Sequence, residues 1–242
     1  MIVDHRLKSY RAIWDAKPVL RAIYQDYYSR MMAACTRGRT LEIGSGAGNL
    51  KEVGRHVIST DVLQTPWIDA VADAHALPFA DGSFGNIVML DVLHHLQCPR
   101  DFFTEAQRLL RPGGRVVMLE PAITPISWPC YRYLHQEPVR FDQDPLAHYV
   151  VNLARDPYQA NQAIPTLLFG RHRRRFEREF PSFHLECVER LSLLAYPMSG
   201  GFRPWNALPV WLVRALIRLE DLLTPVLGPL MAFRLFVVLV KK

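Results

Sequence analysis

Cysteine is scarce and scattered in this chain: Cys35, Cys98, Cys130 and Cys187 are the only four in 242 residues, and no two form a Cys-x-x-Cys pair. Such spacing suggests neither a disulfide framework nor a zinc site, and no metal is expected. The first twenty residues lack an apolar core, being broken by Asp4, His5, Arg6, Lys8, Arg11, Asp15 and Lys17, so they do not read as a secretory signal. These two absences together point to reducing cytoplasm. No Gly-Lys-Ser or Gly-Lys-Thr occurs, which excludes a Walker phosphate loop. Acid is in deficit, 23 Asp and Glu against 29 Lys and Arg, leaving a net charge of +6. The surplus gathers at Arg171, Arg173, Arg174, Arg175 and Arg178. That cluster suits nucleic acid, anionic lipid or a phosphorylated partner, and equally a solvated face of a helix over 166–180.

What the chain does have is a glycine loop. Residues 40–43 form a short strand-like run carrying an acid, Glu42, and break into Gly44, Gly46 and Gly48 at alternate positions. Glycine accepts backbone angles closed to other residues and has no Cβ, so the chain can turn sharply and lie against a ligand. A helix expected from about Asn49 would aim free N–H groups and its positive dipole end at an anionic group. The dinucleotide fingerprint wants Gly-x-Gly-x-x-Gly, and Asn49 stands where its third glycine should fall.

Beyond the loop, strand-like and helical patterns alternate. Residues 57–61 read as an apolar strand ending in Asp61, 19 residues after Glu42. That is near the ~20-residue interval at which an acid meets ribose hydroxyls in doubly wound nucleotide folds. Residues 70–74 read as a third strand running into Asp73, and 81–84 as a turn. The continuous apolar run 87–90 fits a strand buried on both faces of a parallel sheet. Helical spacing over 102–110 is closed by Arg111, Pro112, Gly113 and Gly114, and 116–121 form the next strand. With 50% hydrophobic residues, this alternation predicts one α/β domain with helices on both faces of the sheet.

Taken in order, Glu-x-Gly-x-Gly-x-Gly at 42–48, Asp-Gly-Ser-Phe at 81–84, Leu-His-His-Leu at 93–96, Leu-Leu-Arg-Pro-Gly-Gly at 109–114 and Glu-Pro at 120–121 resemble the class I S-adenosylmethionine-dependent methyltransferases. The likeness is to their small-molecule "type 11" branch and covers roughly 41–121. It implies a doubly wound, Rossmann-like methyltransferase fold with a mostly parallel seven-stranded sheet, order 3-2-1-4-5-7-6, and an antiparallel last strand. It implies S-adenosylmethionine as cofactor, with S-adenosylhomocysteine as product. Glu42, Gly44, Ser45, Gly46 and Gly48 would then hold the amino-acid end, Asp61 the ribose, and Asp73 with Ala74 the adenine, with Val62 and Asp91 completing the set. The whole of 1–242 is expected to be one domain. It divides into an N-terminal helical cap (1–38), a cofactor-binding half (39–121), a substrate-side insertion (122–182) and the last two strands (183–242), which enclose a helical insertion at 201–231.

Candidate catalytic residues are three histidines. His94 and His95 follow the fourth strand, where a histidine takes or gives a proton near neutral pH, and the sequence does not distinguish them. His135 stands two residues from Glu137, a base and its orienter only if that segment is a loop or strand. The Pro- and apolar-rich segment after Pro121 leaves the sheet at its carboxyl edge and is expected to roof an acceptor pocket, with Tyr131 and Tyr133 as further polar groups. Tyr10, Trp14, Tyr24, Tyr27 and Tyr28, on helical spacing, either close over the cofactor or pack their helix onto the sheet.

Towards the C-terminus, Trp211, Leu212, Ala215, Leu216, Leu219, Leu222 and Leu223 share one apolar helical face. Residues 222–240 hold a single charge, Arg234, but Pro225, Gly228 and Pro229 interrupt a membrane span. Residues 233–240 read as the last antiparallel strand, with 184–194 as its partner. The expected acceptor is a small or lipid- or glycan-linked molecule, with peripheral membrane contact through 208–240 open. Two other readings are an RNA methyltransferase using the arginine cluster and a non-catalytic scaffold built on a cofactor fold. The chain lacks the Asn/Asp-Pro-Pro-aromatic motif of amino-base methylation, which makes nucleic acid an unfavoured partner.

Overall fold

A computed structural model describes residues 3–54, 56–152 and 154–242. Its centre is a seven-stranded sheet: β1 (Thr40–Ile43), β2 (Val57–Asp61), β3 (Ala70–Val71), β4 (Phe84–Leu90), β5 (Leu110–Pro121), β6 (Phe183–Leu191) and β7 (Arg234–Lys241). The strand order is β3-β2-β1-β4-β5-β7-β6. Neighbours from β3 to β5 run parallel, and β7 is antiparallel to both β5 and β6. This is the order and the antiparallel last strand that the sequence implied.

Alternation along each strand divides the side chains between two cores. Ile87, Met89, Val116, Met118, Val237 and Leu239 face one way, against α3 (Pro99–Leu109), whose Phe102, Phe103 and Ala106 are fully buried. Val88, Val117, Leu119, Phe236 and Val238 face the other way, against α1 (His5–Ala16) and α2 (Pro18–Ala34). The N-terminal segment is therefore two helices. Pro18 has no N–H to continue α1, and the chain restarts with it in the first turn of α2. At the break, the buried Lys17 ammonium donates to the carbonyls of Gly201, Arg203 and Trp205 at 2.7, 2.7 and 2.8 Å, tying the cap to the C-terminal loop.

Several expectations need correction. Among the described residues, no α-helix follows the glycine loop: Asn49–Glu52 is a single 3-10 turn. Val53 and Gly54 both donate back to Leu50 and close it, and only residues 44–56 separate β1 from β2. The third strand is two residues long, Asp73 lying beyond it in an isolated bridge to Ala76. After α4 (Ser127–Leu134), the helix expected over 166–180 is split into α5 (Ile164–Thr166), a π-turn (Leu167–Arg171) and α6 (Arg173–Glu179). Its arginines are partly neutralised: Arg173 pairs with Glu177, and Arg175 with Glu179 and Asp144. Following the short α7 (Ala195–Ser199), α8 (Val210–Met231) is continuous, with Pro225 and Pro229 inside it. Each proline forfeits one backbone hydrogen bond, but α8 still packs Val213 and Glu220 inward. Among the described residues, no helix is long and apolar enough to cross a membrane.

Candidate functional site

Parallel strands deliver their last residues to one edge, and here that edge is acidic. Glu42 is the penultimate side chain of β1, Asp61 ends β2, Asp73 follows β3, Asp91 follows β4 and Glu120 closes β5. The glycine loop turns at this edge with φ values of +68° at Gly44, +51° at Gly46 and +76° at Gly48, all in the left-handed region. A Cβ on Gly44 would lie 2.4 Å from Val92, and one on Gly48 2.4 Å from Trp67, whereas at Gly46 the nearest atom is a carbonyl at 4.0 Å. The loop is thus gripped on two sides and open on the third.

Asp61 ties the loop to β2. Its carboxylate accepts from the Gly46 N–H at 2.8 Å and the Leu63 N–H at 2.9 Å, which offset part of the upward pKa pressure of its burial. The Trp67 indole donates to the Gly46 carbonyl at 2.8 Å, and Arg11 of α1 donates to the Ala47 carbonyl at 2.8 Å. The cap therefore docks on the loop. Beside it, Glu42 is only 6% exposed, and burial pushes its carboxyl up to about 6. The hydroxyls of Ser59 and Ser45 and the Lys51 charge hold it down in part, but neither hydroxyl closes a well-shaped hydrogen bond. Among the described residues, Glu42 Oε2, Ser45 Oγ and Asn49 Oδ1 are buried without partners. Orphaned polar atoms inside a protein are costly, and three around one open glycine loop mark a place for a polar ligand. Those residues fit the amino-acid end of S-adenosylmethionine.

The remaining expected residues lie on the same edge. Val62 is exposed, an apolar surface immediately beyond Asp61. Asp73 accepts from the His75 backbone N–H at 2.9 Å and lies 2.6 Å from its Nδ1, a hydrogen bond that holds its carboxyl low, and Ala74 is buried behind it. Asp91 is not a free carboxylate. One oxygen pairs with the buried Arg234 guanidinium, and the other is 3.4 Å from the Tyr24 hydroxyl. Arg234 lies 4.1 Å over the Tyr196 ring and near Tyr27. Four aromatics of the cap, Trp14, Tyr24, Tyr27 and Tyr28, thus pack as a core, while the Tyr10 ring lies tilted against Phe202 and Tyr158.

The three histidines converge, which their sequence positions do not reveal. Glu120 is fully buried; its Oε1 accepts from the N–H groups of Val92 and Leu93, both at 2.8 Å, and its Oε2 lies 2.7 Å from His94 Nδ1. On the other side of the ring, His94 Nε2 is 3.4 Å from Glu137. His95 Nε2 and His135 Nδ1 approach the same carboxylate at 3.7 and 3.8 Å. His135 lies beyond α4 with extended backbone, so the condition for its approach to Glu137 is met. His94 and His95 are no longer alike. Burial opposes a charge on His94, but the two carboxylates outweigh it and raise its pKa to about 10. Burial and the neighbouring His94 charge push His95 down to about 4. Glu137, despite its own burial, is held near about 2 by the histidines. Glu120, Arg234 and Trp67 had no assigned role in the sequence; the only signal for the first two was a charge at the end of an apolar strand.

Strand order, glycine loop and acidic carboxyl edge define a Rossmann-like fold of the class I methyltransferase type. Residues 41–118 match the family model described as a methyltransferase domain. Over 93 residues it is 36% identical to the ubiquinone/menaquinone biosynthesis C-methyltransferase UbiE of Paracoccus denitrificans (strain Pd 1222), covering 38% of this chain and 35% of that protein. A demethylmenaquinone methyltransferase of Renibacterium salmoninarum is 32% identical over 96 residues, covering 34% of this chain and 40% of its own length. The chain therefore spans well under half the length of these relatives. A solved SAM dependent methyltransferase from Archaeoglobus fulgidus superposes with a TM-score of 0.55 at 16% identity, covering 92% of this chain and 94% of that one. At that identity the likeness is one of fold.

Proposed function

We propose that the chain is an S-adenosylmethionine-dependent methyltransferase whose acceptor is a small, predominantly apolar molecule, free or lipid-linked. The observation that carries this reading is the open glycine loop bordered by the orphaned Glu42 Oε2, Ser45 Oγ and Asn49 Oδ1, with Asp61 at the next strand end. When bound, S-adenosylmethionine supplies a methyl group already activated by its sulfonium. The protein's task is then to bind, align and exclude water. Glu42 meets the ammonium, and the spare lone pairs of Asp61 accept the ribose hydroxyls. Asp73 and the backbone beside Ala74 read the adenine edge, and Val62 offers an apolar rest for the ring. Holding the acceptor in line with the methyl group contributes about 7–11 kcal/mol of the barrier reduction. His94, charged between two carboxylates, is no base.

The acceptor reading is supported by an open cleft of about 360 Å³ lined by Ile123, Thr124, Pro125, Trp128 and Phe141, within the segment that leaves β5 and apart from the glycine loop. Its lining is mostly apolar, and α8 exposes Trp211, Leu222 and Val226 at 70%, 77% and 78%. Incubation with radiolabelled methyl donor and fractionated lipid, saccharide and RNA extracts is expected to label the lipid fraction. Label confined to RNA, or no calorimetric binding of S-adenosylmethionine, would sink the reading.

Glu42 also sets a pH dependence. Its carboxyl sits at about 6 in the folded chain against 4.5 normally, so holding it ionised costs roughly 2 kcal/mol above pH 6, a cost that fades as pH falls towards 4.5. Affinity for the cationic ligand is therefore expected to fall as pH drops through 6. Glu42→Gln should raise the melting temperature at pH 7.5, abolish that pH dependence and weaken binding. A flat affinity between pH 5 and pH 8 in the unmodified chain would place the ammonium elsewhere.

A further inference from the structure

We propose that His94, His95 and Glu137 bind one divalent transition-metal ion of zinc-like ligand preference, with Glu120 orienting His94 from behind. One ligand atom from each of the three lies within 4.8 Å of the others. Two of the separations, each to a different oxygen of Glu137, are close to those around a shared ion. Ligand atoms about 2.0–2.1 Å from a tetrahedral zinc stand roughly 3.4 Å apart. His94 Nε2 is 3.4 Å from Glu137 Oε2, and His95 Nε2 is 3.7 Å from Glu137 Oε1. A direct charge-assisted hydrogen bond would be shorter, about 2.7–2.9 Å.

The surroundings match a metal centre from the second layer inward. Metal-bound imidazoles usually give their other N–H to a carboxylate, which sets the tautomer and turns the ring. Glu120 does this for His94 at 2.7 Å and is itself fixed by two backbone N–H groups. With Nδ1–H committed there, Nε2 faces the Glu137 carboxylate, and the ion takes the place of the Nε2 proton between them, which leaves to solvent. Gln162 donates to Glu137 and holds that carboxylate in place. Two imidazoles and one carboxylate leave a coordination position open, as in zinc sites that accept a substrate oxygen. His135 Nδ1 accepts from the Glu137 backbone N–H at 3.3 Å, which ties down the segment that carries Glu137.

The full chain, stripped with a chelator, is titrated with zinc chloride by calorimetry, and metal content is measured by mass spectrometry after dialysis. One ion per chain is expected. His95→Ala and Glu137→Gln should each weaken binding by about 100-fold or more, and Glu120→Gln by about 10- to 100-fold through the orientation of His94. Circular dichroism of the stripped proteins shows whether each variant is folded, and the two ligand variants serve as alternates should one not be. Cys98→Ser should leave binding unchanged. An ion that departs with Cys98→Ser belongs instead to the cluster of Cys98, Asp101 and His148, and overturns the assignment. So does sub-stoichiometric zinc, or binding indifferent to His95 and Glu137; either result means that a proton on His94 is the only cation the cluster takes. Methyl transfer does not enter any of these measurements.

Discussion

Replacing Asp61 by Ala is expected to lower the affinity for S-adenosylmethionine by about 100-fold or more. Hydrogen bonds to an ionised acceptor are worth roughly 1.5–3 kcal/mol each, and the two ribose hydroxyls lose such a partner together. The same carboxylate accepts from the N–H groups of Gly46 and Leu63, so the substitution also loosens the loop that Glu42 and Ser45 border. Calorimetry reads the affinity, and urea denaturation separates it from the smaller loss of stability, expected at about 1–3 kcal/mol for stranded donors. Affinity within threefold of the unmodified chain would mean that the nucleoside does not lie over the end of β2.

Asp91→Asn is expected to destabilise the chain by about 3–5 kcal/mol. Arg234 is 2% exposed, and Asp91 is the acid that pairs with it. Removing one member of a buried pair leaves an uncompensated charge, which costs far more than the pair contributes. Asparagine is the informative substitution because Asp91 has φ +58°, a region that asparagine tolerates, so the backbone is not additionally strained. For a domain of this size the loss corresponds to a fall in Tm of roughly 10 °C. Combining Asp91→Asn with Arg234→Met should recover most of it, because the stranded guanidinium is then gone. A single-variant loss under about 1 kcal/mol would show that water reaches the pair and screens it.

These effects differ in how far the sequence foretold them. Glu42, Asp61 and Asp73 were legible as edge positions because each lies at or next to the end of an apolar run, and apolar runs in alternation with helical patterns deliver their ends to one edge of a parallel sheet. The order of the strands came with the family pattern rather than with any residue's own preference. The helix after Asn49 failed because a 3-10 turn suffices to join two adjacent strands over so short a link. The split at Pro18, which was not foreseen, and the passage of α8 through Pro225 and Pro229 share one reason. Proline removes a hydrogen bond wherever it stands, but packing decides whether the helix ends there.

Asp91 shows the same limit at the site. Its position after β4 was correctly an edge position, yet its partner enters from β7, 143 residues later. Likewise His94 and His95 were a pair of equals until Glu120 from β5 closed on His94 alone, with Glu137 from beyond α4 facing both.

By itself the sequence determined the class of fold, the glycine loop and the acids that follow its strands, because these depend on periodicity and on spacing within a short stretch of chain. Only the tertiary structure decided which charges meet. It buried Arg234 against Asp91, gathered His94, His95 and His135 around Glu137, and left Glu42 Oε2 without a partner. Burial strengthens electrostatic interactions and makes an unpaired polar group costly, and burial depends on contacts between segments far apart in the chain. The chemistry of the site therefore resides in those contacts.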